Sequence, residues 1–92
     1  MPDPSPLRSG DVHVVVRVEL KPEVEDAEAE NVARALELLG VPGLRDVRLA
    51  RLYDLEFSGL DRASAERAAR DAVDRLLANP VIHRVTVTPP SE

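Results

Sequence analysis

The chain has 92 residues, 43% of them hydrophobic and 32% charged, with a formal net charge of -5. That length supports one small domain and excludes a second independent core, and that composition is far from the apolar-poor, charge-rich mix that stays unfolded. With no cysteine, disulfides, thiol nucleophiles and cysteine-zinc sites are excluded.

Residues 1–10 are rich in proline and serine and are read as a loose tail, followed by one domain over residues 11–88. From Asp11 the pattern becomes strict alternation. Val12, Val14, Val16, Val18 and Leu20 share one face and His13, Arg17 and Glu19 the other, which predicts a half-buried strand. Lys21-Pro22 ends it, since proline has no ladder donor and restricts the residue before it. Asp26 is placed to cap a helix whose apolar positions Ala29, Val32, Ala33, Leu36 and Leu39 recur at three and four residues, with Gly40 as a left-handed stop. The acids around that helix start are accounted for by the favourable field of a helix N-terminus, without a metal.

Val41-Pro42-Gly43-Leu44 has the residue order of a type II turn. A second strand is expected directly after it, with Val47, Leu49, Tyr53, Leu55 and Phe57 on one side. One long, bent strand is the preferred reading, and a four-stranded arrangement with a turn near Ala50-Arg51 is the alternative. Asp61 then caps a second helix reaching about Leu77, with Ala65, Ala69, Ala72, Val73 and Leu76 as its buried stripe. Outside that stripe Glu66 and Arg70, Arg67 and Asp71, Arg70 and Asp74, and Asp71 and Arg75 form ion pairs four apart, the mark of a solvated face. Asn79-Pro80 ends the helix. Val81 to Thr88 supplies a last strand, and Pro89-Pro90 stops it, leaving residues 89–92 as a C-terminal tail.

The order β-α-β-α-β, with crossovers long enough to return along the sheet, predicts an α+β two-layer sandwich. Its antiparallel sheet has three strands, or four in the alternative, with two helices on one face. Strand parity leaves Val15, Ala50, Leu52 and Ile82 on the opposite face. That face invites a second sheet, and the hypothesis for its source is a homodimer or higher homo-oligomer formed through those four residues.

An acidic chain with one Tyr, one Phe and no Trp lacks the footprint of a nucleic-acid binder, and no apolar run approaches the roughly 18 residues that cross a bilayer. The opening residues also lack the layout of a signal peptide, so a cytoplasmic protein is expected. His13 and His83 stand apart, each without a second His or Cys at ligand spacing, and read as ordinary strand residues. Gly40 and Gly43 frame Val-Pro and make a turn, not a phosphate loop. No nucleophile-base pattern stands out, so an enzyme active on its own is not expected, nor a cofactor bound by this chain.

Three segments carry a more specific signal: Val18-Glu19-Leu20-Lys21-Pro22, Asp46-Val47-Arg48 and Leu76-Leu77-Ala78-Asn79-Pro80-Val81-Ile82. Together they resemble the PurS-type small subunit of phosphoribosylformylglycinamidine (FGAM) synthase, over about residues 12–88. The resemblance implies a non-catalytic subunit in purine synthesis that bridges a large synthase subunit, which uses ATP and Mg, and a glutaminase subunit, so that ammonia passes between their active sites. Lys21-Pro22 and Asn79-Pro80 are the loops expected to touch those partners. The alternative is a freestanding ferredoxin-like regulatory or dimerisation module.

Overall fold

The computed structural model describes residues 11–91, so the tail expected at residues 1–10 lies outside them. Strand β1 (Val12–Leu20) is central in a three-stranded antiparallel sheet, flanked by β2 (Ala50–Phe57) and β3 (His83–Ser91) in the order β2-β1-β3. Helix α1 (Ala27–Leu38) joins β1 to β2, and helix α2 (Arg62–Ala72), prolonged by one π-helical turn over Val73–Leu77, joins β2 to β3.

The valine row explains why β1 is central. Val14 and Val16 are fully shielded, and Val12 and Val18 nearly so, because β-branched side chains fill a pleated surface well. Ala65, Ala69 and Val73 of the second helical segment close over that row, with Tyr53, Leu55, Phe57, Leu77, Val85 and Val87 packed around them. Two alanines at the contact let the helix backbone approach the sheet closely. The edge strands carry the less sheet-prone residues, Asp54 and Glu56 in β2 and two prolines in β3.

Both helix starts are as expected. Asp26 Oδ1 accepts from the Ala29 N–H at 3.0 Å, and Asp61 Oδ1 accepts from the Ser64 N–H at 2.7 Å. Two hydrogen bonds from Ser64, its backbone N–H first and its side chain second, hold the Asp61 carboxyl below its ordinary pKa. At the end of α1, Gly40 adopts φ +77°, its N–H reaches Glu37 O at 3.0 Å, and the Val41 N–H reaches Leu36 O at 3.2 Å. This is a Schellman stop.

Several strand bounds and burial expectations are corrected, while the preferred three-stranded reading holds over its four-stranded alternative. β2 starts at Ala50 and not near Val47, because its partner strand turns off at Lys21-Pro22 and leaves earlier residues no ladder to join. Asp46 instead accepts the Val47 N–H at 2.9 Å, a local bond that competes with pairing. No turn interrupts β2 near Ala50-Arg51, so the sheet has three strands. Strand β3 begins at His83, two residues later than expected, and runs to Ser91 through Pro89-Pro90. From Val15 to His13 the facing residues step from Thr88 to Ser91, three positions against two, so the prolines fall in a bulge of an edge strand where their missing donors cost little. Finally, Leu76, expected in the buried stripe, is 84% exposed, and Leu39, the last apolar position of the α1 pattern, is 78% exposed. The π turn widens the helix after Val73 and swings Leu77 toward the core in place of Leu76. Leu39 lies at the end of a helix that buries Ala29 alone and adds nothing to the valine cluster.

Candidate functional site

The loops at Lys21-Pro22 and Asn79-Pro80 meet at one end of the sheet. Leu20 faces His83 in the last rung between β1 and β3, and one step further the Lys21 N–H donates to Ile82 O at 2.8 Å. On the β1 side, the Val24 N–H donates to Lys21 O at 2.9 Å and bends the chain toward α1. On the β3 side, Asn79 organises a tight turn. Its Oδ1 accepts from the Val81 N–H at 2.9 Å, and its carbonyl accepts from the N–H groups of Ile82 and His83 at 3.1 and 2.8 Å. Asn suits this role because its side chain replaces a backbone acceptor.

This corner separates two cavities. One, of about 380 Å³, is lined by Lys21, Pro22, Val24, Ala29 and the segment around Val47 and Leu49, with several acids at its rim. The other, of about 420 Å³, lies between the second helical segment and β3 and is lined by Val73, Ala78, Pro80, His83, Val85 and Val87. The prolines therefore stand on opposite sides of the corner, both exposed.

The sheet face away from α2 carries Val15, Ala50 and Leu52. Leu52 is 68% exposed, Ala50 is exposed and Val15 is half-buried. Ile82, grouped with them by parity, precedes β3 and belongs to the Asn79 turn. Around Val15 and Leu52 the face is stitched by charge. His13 Nδ1 lies 2.7 Å from Asp54 and its Nε2 3.4 Å from Glu56, while Glu19, only 10% exposed in its side chain, meets Arg84 at 3.2 Å and Arg17 at 3.4 Å. These pairs, cross-strand but for Arg17–Glu19 within β1, fix side chains on an otherwise open surface. Neither histidine is marked by a ligand or catalytic motif in the sequence. The usable signal was register, which puts His13 beside two acids, and spacing, which puts His83 four residues after Asn79. Along α2 and its π turn, the pairs Glu66–Arg70 and Asp71–Arg75 form at 3.0 and 3.1 Å, whereas Arg67 turns to Ser64 at 3.1 Å. Among the described residues no three His, Cys, Asp or Glu side chains gather to hold a metal, and no helix is long and apolar enough to cross a membrane.

The family model for PurS, phosphoribosylformylglycinamidine (FGAM) synthase, matches residues 13–90. The chain belongs to the PurS family. It is 35% identical to the phosphoribosylformylglycinamidine synthase subunit PurS of Archaeoglobus fulgidus over 72 residues, covering 78% of this chain and 90% of that one. To the PurS subunit of Mycobacterium leprae it is 35% identical over 78 residues, covering 85% and 95%. Among solved structures it resembles a chain in the structure of PurLQS from Thermotoga maritima, with a TM-score of 0.76, 26% identity and coverage of 85% and 95%. The PurS match takes in both Lys21-Pro22 and Asn79-Pro80 as well as all three strands but for Val12 and Ser91.

Proposed function

We propose that this PurS chain, a small subunit of FGAM synthase in purine biosynthesis, works by position: it bridges the ATP- and Mg-using synthase subunit and the glutaminase subunit, so that ammonia released on one is captured on the other. Capture must be quick, because free ammonia is protonated in water and loses its nucleophilic lone pair; holding the two sites together raises the effective concentration of the uncharged form. The observation that carries this reading is the corner. Two loops distant in sequence, each part of the family pattern, are bonded to one another at one end of the sheet and present exposed prolines to either side. Likeness to a subunit in a PurLQS assembly supports the same reading.

Coexpression with synthase and glutaminase subunits tests it. Glutamine-dependent amidination requires this chain, and Lys21→Glu combined with Pro80→Glu weakens assembly by about tenfold, the loss of roughly 1.4 kcal/mol of contact energy. Full glutamine-dependent turnover without the chain overturns the bridging role, and undiminished assembly of the double variant removes the corner from the interface.

We also propose that two copies pair through the sheet face of Val15, Ala50 and Leu52, with Ile82 at its margin. An exposed Leu52 among ordered charge pairs supports this choice, since an apolar centre with a polar rim is the usual anatomy of an interface. Leu52→Asp yields monomers in analytical ultracentrifugation; an intact dimer in that variant refutes the assignment.

A further inference from the structure

His83 stands first in β3, half-buried beside Pro80. Its Nδ1 lies 2.8 Å from the backbone nitrogen of Asn79, and its own N–H donates to Asn79 O at 2.8 Å. A backbone N–H can only donate, so Nδ1 is the bare nitrogen and the ring proton resides on Nε2. The need for this acceptor arises in the helix above. The chain leaves the π turn at Ala78 in an extended conformation, φ -146° and ψ 149°, after the Ala78 N–H has bonded Val73 O. The next donor, on Asn79, is thereby turned away from the helical carbonyls, and His83 receives it. Asn79 in turn holds Val81 and Ile82, and Ile82 O holds the Lys21 N–H. One bonded path thus runs from the imidazole to the other half of the corner.

We infer that His83 is the positioning residue of this corner: its neutral imidazole pins Asn79 and sets the turn in the shape that the larger subunits meet, and protonation of Nδ1 releases it. This rests on the reading of the corner as their contact. The sign follows from the chemistry. A protonated Nδ1 is a donor facing a donor, so the contribution is present while the ring is neutral and is lost as acid charges it. The charged groups around the ring are few. Arg70 and Asp74 share its cavity from the second helical segment, with Arg70 held by Glu66 at 3.0 Å; Lys21 follows its rung partner on β1; and Arg84, next in β3, points to the other sheet face, where Glu19 takes it at 3.2 Å.

The experiment has two arms, both on the full chain. In the isolated protein, ¹⁵N NMR from about pH 8 to about pH 5 follows the Asn79 and Lys21 amides against the titration of the His83 ring itself. Both amides shift in step with the ring, and Asn79 loses up to about tenfold of its exchange protection, the span one hydrogen bond supplies. In the second arm, affinity for the synthase and glutaminase subunits falls by up to about tenfold over the same range. His83→Asn keeps an acceptor at the same distance from the backbone but does not titrate, so it holds affinity at both ends of the range, while His83→Phe is weak throughout. Amides that ignore the ring titration, or a His83→Asn protein that retains the wild-type acid response, overturn the inference. Amides that follow the ring while affinity stays constant in all three proteins refute the corner as the contact and leave the Asn79 latch itself intact.

Discussion

The two helices of this chain were written with one pattern and met two fates. Both start at an aspartate cap, and both space apolar residues at three and four. In α2 the inward positions are alanines, fully shielded, lying on the valine row of β1. In α1 they are larger, Val32, Leu36 and Leu39, yet only Ala29 is buried. Size did not decide burial; access to the sheet did. One face of a three-stranded sheet has room for α2 in close contact, and small side chains let it sit low enough to exclude water from four valines. α1, tied to a short loop after Lys21-Pro22, contributes nothing to that cluster and leaves Leu38 and Leu39 in solvent. Burying either leucine fully would be worth roughly 1.5–3 kcal/mol, so stability is concentrated in the α2 half.

That asymmetry can be broken or sharpened by substitution. The largest effect is expected in the shielded valine row: Val16→Ala removes two carbons and leaves a cavity, lowering the unfolding free energy in urea by about 2–3 kcal/mol. Ala69→Leu asks the close helix-sheet contact to accept three further carbons and costs about 1–3 kcal/mol by the same measurement. Gly40→Ala forces a Cβ into the left-handed region at φ +77°, where nothing crowds it, so the cost is the backbone strain alone, about 1 kcal/mol in thermal unfolding. The cap of α2 adds a pH dependence. Because the Asp61 pKa is lowered from 3.8, its contribution is present above that value and disappears as acid titrates the folded carboxylate. Asp61→Asn, which keeps an acceptor and does not titrate, makes stability fall less steeply below about pH 4, read by circular dichroism. At the small end, Leu39→Ala changes monomer stability by less than about 0.5 kcal/mol. A loss as large as that of Val16→Ala would show that α1 is packed after all.

Much of this was legible in the chain because it depends on near neighbours. Alternation over Val12–Leu20 announced β1 and its buried face, and Asp26, Asp61 and Gly40 marked helix ends through bonds reaching only three to five residues. The corner was half legible: Lys21-Pro22 and Asn79-Pro80 were each visible as stops, and the family pattern drew attention to both, but nothing local joined them. The errors share a cause. Val47 and Leu49 have the alternation of a strand but face no partner once β1 has turned away, and Pro89-Pro90 look like a stop but fall in a bulge at a sheet edge.

The sequence by itself determined the element order, the capped helix starts, the valine face and the family, since each is a matter of residue type and short spacing. Only the tertiary structure decided which helix covers the sheet, that a π turn brings Leu77 inward in place of Leu76, and that His83 reaches Asn79 while Ile82 reaches Lys21. Those outcomes depend on where distant segments arrive in space. Burial and hydrogen bonding reward the contacts that result, and no spacing along the chain records them in advance.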